Sequence, residues 1–301
     1  MSIDLVVILG PTATGKTRIG VHLAQGFGGE IISADSRQVY RGMDLGTGKD
    51  LAEYGAIPVH LIDIADPEED FDVFVFQRRC YAAIDQIRQR GKLPIVVGGT
   101  GLYLDALLKG YRMVEAPTNE PLRRELEALD SKALSERLLA LRPGQHNTTD
   151  LVERQRLVRA IEIAEAEAAA PEQPDPPNIT PAIFGVHFDP AALRSRITAR
   201  LRQRLEEGMI EEVQALREGG VAQERLDYFG LEYRFIARHV AGEIDRNDMF
   251  QKLNAAIHQF AKRQRTWFRR MERQGVAIQW VDGEGTPEQL ITDKLRALLN
   301  G

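Results

Sequence analysis

A single cysteine, Cys80, stands among 301 residues. One thiol can neither close an internal disulfide nor supply a four-cysteine zinc site, so neither scaffold is available, and a reducing, cytoplasmic setting is expected. No apolar run approaches the roughly 20 residues of a membrane-spanning helix, so no membrane association is expected. Basic residues are missing ahead of the apolar stretch in Met1 to Leu9, which runs straight into a glycine-rich segment. That stretch reads as a first strand rather than a signal peptide. Internal repeats and coiled-coil heptads are lacking as well, and the expectation is a monomer with no obligate protein partner.

Excess positive charge is also missing: the formal net charge is −5, unpromising for a nucleic-acid binder taken whole. The charge is unevenly spread. Between Lys262 and Arg273 six basic side chains (Lys262, Arg263, Arg265, Arg269, Arg270 and Arg273) meet one acid, Glu272, a local net charge of +5. Screening confines fields to about 10 Å, so the local charge is what a phosphate feels. On a helical wheel of Asn247 to Gln274, Lys262, Arg265, Arg269 and Arg273 share one face. Ile257, Phe260, Ala261, Phe268 and Met271 fall opposite, with Trp267 at their edge. A charged run is usually a solvated face balanced by acids; with Glu272 alone to balance this one, a polyanionic partner is favoured.

Along the chain, Asp4 to Leu9, Glu30 to Ala34, Val59 to Ile64, Pro94 to Val97, Ala182 to Phe188 and Val276 to Val281 read as strands. Val73 to Arg90 has helical period, with Val73, Phe76, Cys80, Ala83, Ile84 and Ile87 on one side. Further helices are expected at Ala191 to Glu218, Leu231 to Val240, Asn247 to Gln274 and Pro287 to Leu299. Strands alternating with helices imply a parallel sheet covered on both faces. From Pro117 to about Ala170 the chain is charged, helical and strand-free, and Pro171 to Pro181 carries five prolines. The expected organisation is an α/β core of residues 1–114 and 181–301, interrupted at 115–180 by an all-helical subdomain and a stiff linker.

Gly10-Pro11-Thr12-Ala13-Thr14-Gly15-Lys16-Thr17 fits G-x-x-x-x-G-K-[ST] and sits between an apolar strand and a helix. Such a loop wraps phosphates in backbone N–H groups at a helix N-terminus; Lys16 reaches the terminal phosphates and the Thr17 hydroxyl can ligate Mg²⁺. The core is therefore expected to be P-loop NTPase-like. The motif specifies a phosphate chain, not a nucleotide, and without an N-K-x-D signature a GTPase is disfavoured. Asp63, in His60-Leu-Ile-Asp63, stands where a Walker-B acid would, though a cap or loop role fits it equally. Asp35 ends the second strand and Thr100 follows the fourth, so both are expected in the crevice at the carboxyl ends of the strands. There Asp35 serves as a base or steers a nucleophile, or else stabilises a turn; Thr100 lines the site or caps a helix. Arg196 and Arg200, one helical turn apart, can offer two guanidinium groups to a diphosphate.

Six blocks in order resemble the tRNA dimethylallyltransferase (isopentenyltransferase) family over most of the chain. They are G-P-T-A-T-G-K-T at Gly10 to Thr17, I-S-A-D-S-R-Q-V-Y-R-G-M-D-L-G-T-G-K at Ile32 to Lys49, V-G-G-T-G-L-Y at Val97 to Tyr103, Q-R-L-V-R-A-I-E at Gln155 to Glu162, R-I-x-x-R at Arg196 to Arg200, and A-K-R-Q-x-T-W-F-R-R at Ala261 to Arg270. The resemblance implies transfer of a dimethylallyl group from its diphosphate to N6 of the adenine 3′-adjacent to the anticodon, with Mg²⁺. It implies that Asp35 is the base, Thr100 its neighbour and Arg200 a diphosphate ligand. It implies that the tRNA anticodon stem-loop is met by Asp35, Ser36, Arg37, Gln38, Arg123, Gln155, Arg156, Leu157, Val158, Arg159, Lys262, Arg263, Arg265 and Arg269, with the adenine flipped from its stack. Two stretches depart from the family pattern. The proline-containing N-D-P-x-R run is replaced by Thr149-Asp150-Leu-Val-Glu-Arg-Gln-Arg156, and G-Y-[KR] by Tyr228-Phe-Gly230-Leu-Glu-Tyr-Arg234. The competing readings are a P-loop small-molecule kinase of the shikimate or adenylate type, which would not need the basic helix, and an RNA-binding protein without turnover.

Overall fold

Leu5–Leu9 (β1) consists of five apolar residues, all fully buried, without the polar alternation of a half-exposed strand. Such a run belongs inside a sheet covered on both faces. In the computed structural model, which describes residues 3–143, 154–171 and 175–300, β1 lies between two parallel neighbours. With Gly29–Ala34 (β2), Val59–His60 (β3), Leu93–Gly98 (β4), Pro181–His187 (β5) and Gln279–Asp282 (β6), the sheet order is β3-β2-β4-β1-β5-β6, parallel throughout. Leu9 and Ala34 both pair with Gly98, so β1, β2 and β4 end level, while β5 runs two residues beyond Gly185, the partner of Leu9. That shared edge is where the phosphate loop, Asp35 and Thr100 leave the sheet.

The chain divides into two compact units, Met1–Lys109 with Asn178–Gly301, and Gly110–Pro177. In the first, the helices are Lys16–Phe27 (α1), Val73–Gln89 (α2) and Gly101–Lys109 (α3). In the second they are Glu120–Glu127 (α4), Ser131–Leu141 (α5) and Arg154–Ala169 (α6). The first unit then continues with Pro190–Glu206 (α7), Met209–Glu218 (α8), Gln223–Phe229 (α9), Leu231–Val240 (α10), Arg246–Arg273 (α11) and Pro287–Asn300 (α12). Aspartates cap α2, α7 and α11: Asp72, Asp189 and Asp245 accept from Val75, Ala191 and Asp248 at 3.0, 2.8 and 2.8 Å. Among the described residues no helix is long and apolar enough to cross a membrane.

In the second unit Leu122, Leu126, Leu134, Leu138, Leu157 and Ile161 form a separate core. Glu162, nearly buried beside it, takes Arg123 at 2.8 and 3.1 Å, Arg159 at 3.2 Å and the Asn119 N–H at 3.0 Å. Burial pushes this carboxyl up, but these donors leave it below the ordinary range.

Four expectations need correction. The third strand is two residues long, because Leu61 and Asp63 take positive φ (64° and 53°) and turn the chain away. The helix expected from Ala191 to Glu218 breaks at Gly208, whose φ of 104° no continuous helix accommodates. The last strand begins at Gln279, not Val276. Two short helices, α3 and α9, went unread: α3 follows glycines that mimic a loop, and α9 has only seven residues.

One buried acid ties the edge of the sheet together. Glu30 of β2 accepts from Nε and Nη2 of Arg90 at 3.0 and 2.7 Å and lies 2.7 Å from His60 Nε2. The Arg90 hydrogen bonds are the chief reason its carboxyl is held down at about 2; burial opposes them and His60 assists. A carboxyl depressed on folding contributes stability above its unfolded value of about 4.3 and loses it as pH falls through the folded one. Glu30→Gln is therefore expected to cost about 1–2 kcal/mol at pH 7, discounted for the exposed end of Arg90. Denaturant melts of the two proteins should converge between pH 4.5 and 2; a gap that persists at pH 2 would contradict the assignment.

Candidate active site

The turn from β1 into α1 is built on left-handed backbone. Ala13 and Gly15 take φ of 64° and 78°, which aims successive N–H groups into the loop, and α1 starts at Lys16. Thr14 Oγ1 donates to Pro11 O at 2.8 Å and Lys16 Nζ donates to the same carbonyl at 2.6 Å. Two helices distant in sequence grip this loop. Arg196 Nε of α7 donates to Ala13 O at 2.9 Å, and the Thr12 N–H donates to Gln264 Oε1 of α11 at 2.9 Å.

Gln264 is buried, and its amide nitrogen donates to Gly99 O at 2.9 Å. Close approach explains the glycines after β4. A Cβ at Gly99 would lie 2.5 Å from Gln264 Nε2, and one at Gly101 would lie 2.5 Å from the Trp267 ring.

Asp35, directly after β2, accepts the Arg37 N–H at 2.9 Å through Oδ1. Thr100 starts α3 with its carbonyl, which takes the N–H groups of Tyr103 and Leu104 at 3.0 and 3.2 Å. Its hydroxyl accepts the Ser36 N–H at 3.0 Å, so that side chain braces the Asp35 turn rather than capping α3. Gln38 is committed to structure: Oε1 accepts from Ser33 Oγ at 2.8 Å, and Nε2 donates to Gly48 O at 3.0 Å.

Asp35, Thr100, Lys16, Thr17, Arg200, Arg204 and Gln264 line one crevice of about 310 Å³, with Tyr54, Phe229, Glu232 and Phe260. Arg200 and Arg204 share Asp50, the former in a short ion pair and the latter at 3.1 Å. Burial, then the neighbouring charge of Arg200, pulls Lys16 down to about 7, while Asp35 pulls it the other way. Burial pushes Glu232 up. The crevice thus holds more cations (Lys16, Arg37, Arg200 and Arg204) than carboxylates (Asp35 and Glu232).

Several sequence expectations are relocated. Asp63 belongs to the ion cluster around fully buried Lys49, together with Asp44 at 2.7 Å, and does not line the crevice. Phe260, expected on the packed face of α11, is 39% exposed and lines the crevice, while Ile257 and Ala261 on the same face are buried in the core. Leu157 is wholly buried in the helical unit and Val158 packs against that core, so neither side chain is offered outward; Gln155 and Arg156 are exposed. Lys262, Arg263 and Arg269 are exposed and Arg265 half-buried, and none of them is in an ion pair among the described residues. Glu272, the one acid of that run, accepts from Trp280 Nε1 at 2.7 Å. The departure at Thr149 to Glu153 lies outside the described residues. Asp50 and Glu232 have no local signal; Arg204 belongs to the arginine-rich run of α7, and Gln264 is a polar residue in the apolar stripe of α11.

The family model described as IPP transferase matches residues 38–271, and one described as isopentenyl transferase matches 3–54. The chain is 61% identical over 290 residues to tRNA dimethylallyltransferase 2 of Syntrophotalea carbinolica, covering 96% of this chain and 97% of that protein. It is 58% identical to tRNA dimethylallyltransferase 1 of Geotalea uraniireducens, covering 98% of each. Among solved structures it resembles the tRNA isopentenylpyrophosphate transferase of Bacillus halodurans (33% identity, TM-score 0.72, covering 99% of this chain and 97% of that one). It also resembles a eukaryotic dimethylallyltransferase captured acting on tRNA (25% identity, TM-score 0.79, covering 99% and 78%).

The depressed Lys16 makes anion binding proton-linked. Near pH 8 the empty protein holds Lys16 mainly neutral, whereas an arriving diphosphate ester supplies the missing counter-charge and draws a proton onto it. Affinity for the ester should therefore fall as pH rises from about 7 to 9, with close to one proton taken up at pH 8. Calorimetry in buffers of different ionisation heat measures that uptake, and Lys16→Met should abolish it. Binding in the wild-type protein that ignores pH over this range would contradict the assignment.

Proposed function

We propose, because the chain belongs to the tRNA dimethylallyltransferase family and transfers a dimethylallyl group to tRNA, that the donor is dimethylallyl diphosphate and the acceptor is N6 of the adenine 3′-adjacent to the anticodon. The observation that carries this reading is that Lys16 of the phosphate loop, the guanidinium groups of Arg200 and Arg204 and the carboxylate of Asp35 line one crevice. A phosphoryl-transfer enzyme would present the same loop, but it would have no use for the unpaired basic run on α11.

The donor's diphosphate lies on the N–H groups of Gly10 to Thr17, with Lys16, Arg200 and Arg204 as counter-charges. Arg200 exchanges part of its pairing with Asp50 for the ligand. The N6 lone pair attacks C1 of the dimethylallyl group, the C1–O bond breaks, and the bonding pair leaves with the diphosphate. Guanidinium and ammonium groups already in place stabilise the charge that collects there. Asp35 accepts the proton lost by the alkylated N6, held at the right angle by the Arg37 N–H and by the Thr100–Ser36 brace. Thr17 would hold Mg²⁺ with waters and diphosphate oxygens; that oxygen-only set suits a cation that rarely needs a protein cage, and no cluster of three acidic, His or Cys ligands occurs among the described residues. Bound there, the ion would neutralise leaving-group charge. RNA lies along Arg37 and the Lys262, Arg263, Arg265 and Arg269 face; of the block Gln155 to Arg159 in the helical unit, the exposed Gln155 and Arg156 are the side chains that RNA could meet.

Incubation with dimethylallyl diphosphate, Mg²⁺ and bulk tRNA, followed by nucleoside mass analysis, tests the reading; a tRNA pool without prenylated adenosine would refute it. Asp35→Ala should retain tRNA binding while lowering prenyl transfer by about 100-fold or more, the usual range for a lost general base. Unaltered turnover would remove Asp35 from the chemistry. Reversing Arg265 and Arg269 to Glu should weaken tRNA binding for all sequences and flatten the slope of log affinity against log salt by about 2. Gel-shift titrations across salt would expose an error if the slope stayed the same.

A further inference from the structure

Tyr228 is 43% exposed although its neighbours on α9, Leu226 and Phe229, are buried. The ring is nevertheless firmly placed. The guanidinium carbon of Arg37 lies 4.6 Å from its centroid and that of Arg225 lies 4.8 Å away. Arg225 is itself anchored, donating to Pro67 O at 2.6 Å, to Asp70 at 2.8 Å and to the Glu69 carbonyl. Arg37 is attached at its backbone to Asp35, and it lines the crevice. Its guanidinium has no carboxylate or carbonyl partner among the described residues; the Tyr228 ring is its neighbour instead.

A flat cation held over a fixed aromatic ring, at the rim of a pocket for a base, matches the way proteins receive unstacked bases. Both aromatic rings and guanidinium planes stack on nucleobases, and the contact tolerates any sequence because every base has a π-face. An adenine that leaves an RNA loop to enter the crevice deprives a flanking base of its stacking partner. We propose that the Arg37–Tyr228 pair is the stacking plate that receives a nucleobase flanking the acceptor adenine. This rests on the acceptor assignment above and adds the residue that compensates for the flip. Tyr228 is then a positioning residue that keeps the Arg37 plane presented toward RNA while Asp35, two residues earlier, meets the amine.

The test is a cycle between a protein truncation and an RNA truncation. Anticodon stem-loops that are intact, or abasic at one or the other position flanking the acceptor, are prenylated by the wild-type protein, Tyr228→Ala and Tyr228→Phe. On intact RNA, Tyr228→Ala is expected to raise the KM for RNA about tenfold, with the KM for dimethylallyl diphosphate unchanged and Tyr228→Phe close to wild type. On the RNA abasic at the plate position, wild type should lose about the same factor, and Tyr228→Ala should lose nothing more. Equal penalties from Tyr228→Ala on intact and on both abasic RNAs would mean a general structural effect and would overturn the plate alone. Failure of the wild-type protein to prenylate the intact stem-loop would overturn the acceptor assignment and the plate with it.

Discussion

One side-chain amide joins the parts of this site. Gln264 accepts the Thr12 N–H of the phosphate loop and donates to Gly99 O at the end of β4, so both ends of a buried group are satisfied across more than 150 residues of sequence. Without such a partner, a polar side chain in the apolar stripe of α11 would be costly to bury. With it, the basic helix is registered against the phosphate loop and the strand end that carries Thr100. The glycines after β4 follow from the same requirement, since any side chain there would push α11 outward. The basic helix and the phosphate loop, to which the proposed function assigns RNA and the prenyl donor, are thereby joined through one side chain.

The second organising feature is an imbalance of charge. Lys16, Arg196, Arg200 and Arg204 converge on the loop, and burial and mutual repulsion lower Lys16, Arg196 and Arg204. Asp50 partly offsets them, and burial of Glu232 weakens what that acid contributes as a counter-charge. The crevice is therefore short of negative charge, which the diphosphate of the proposed donor would supply. The same arrangement favours a reaction in which negative charge grows on the phosphate side as a bond breaks.

What the sequence revealed tracks how local the cause is. The phosphate loop was readable because strand, turn and helix follow one another within a few residues. Asp35 and Thr100 were placed in the crevice by a rule about strand ends that needs only the parallel topology. The basic face of α11 was readable from its period. Long-range packing decided the rest. Phe260 lies on the predicted apolar side yet lines the crevice, where the core that buries Ile257 and Ala261 gives way to the site. Leu157 stood in a block assigned to RNA, but three-helix packing buries it. Asp63 is not where a Walker-B acid would be, because it pairs with fully buried Lys49 together with Asp44. Asp50 has no sequence signature; its role exists only because α7 returns to the loop.

The central claim is that one crevice holds the diphosphate of a prenyl donor on Gly10 to Thr17 while Asp35 faces the amine of an extruded adenine. A crystal structure with the unreactive thiolo-diphosphate analogue of the donor and an anticodon stem-loop tests it most directly. The account predicts phosphate oxygens within hydrogen-bond distance of Lys16 and the loop N–H groups, and an adenine N6 within about 3.2 Å of Asp35. An analogue bound elsewhere, or an acceptor base still stacked in its loop with Asp35 turned from it, would contradict the account.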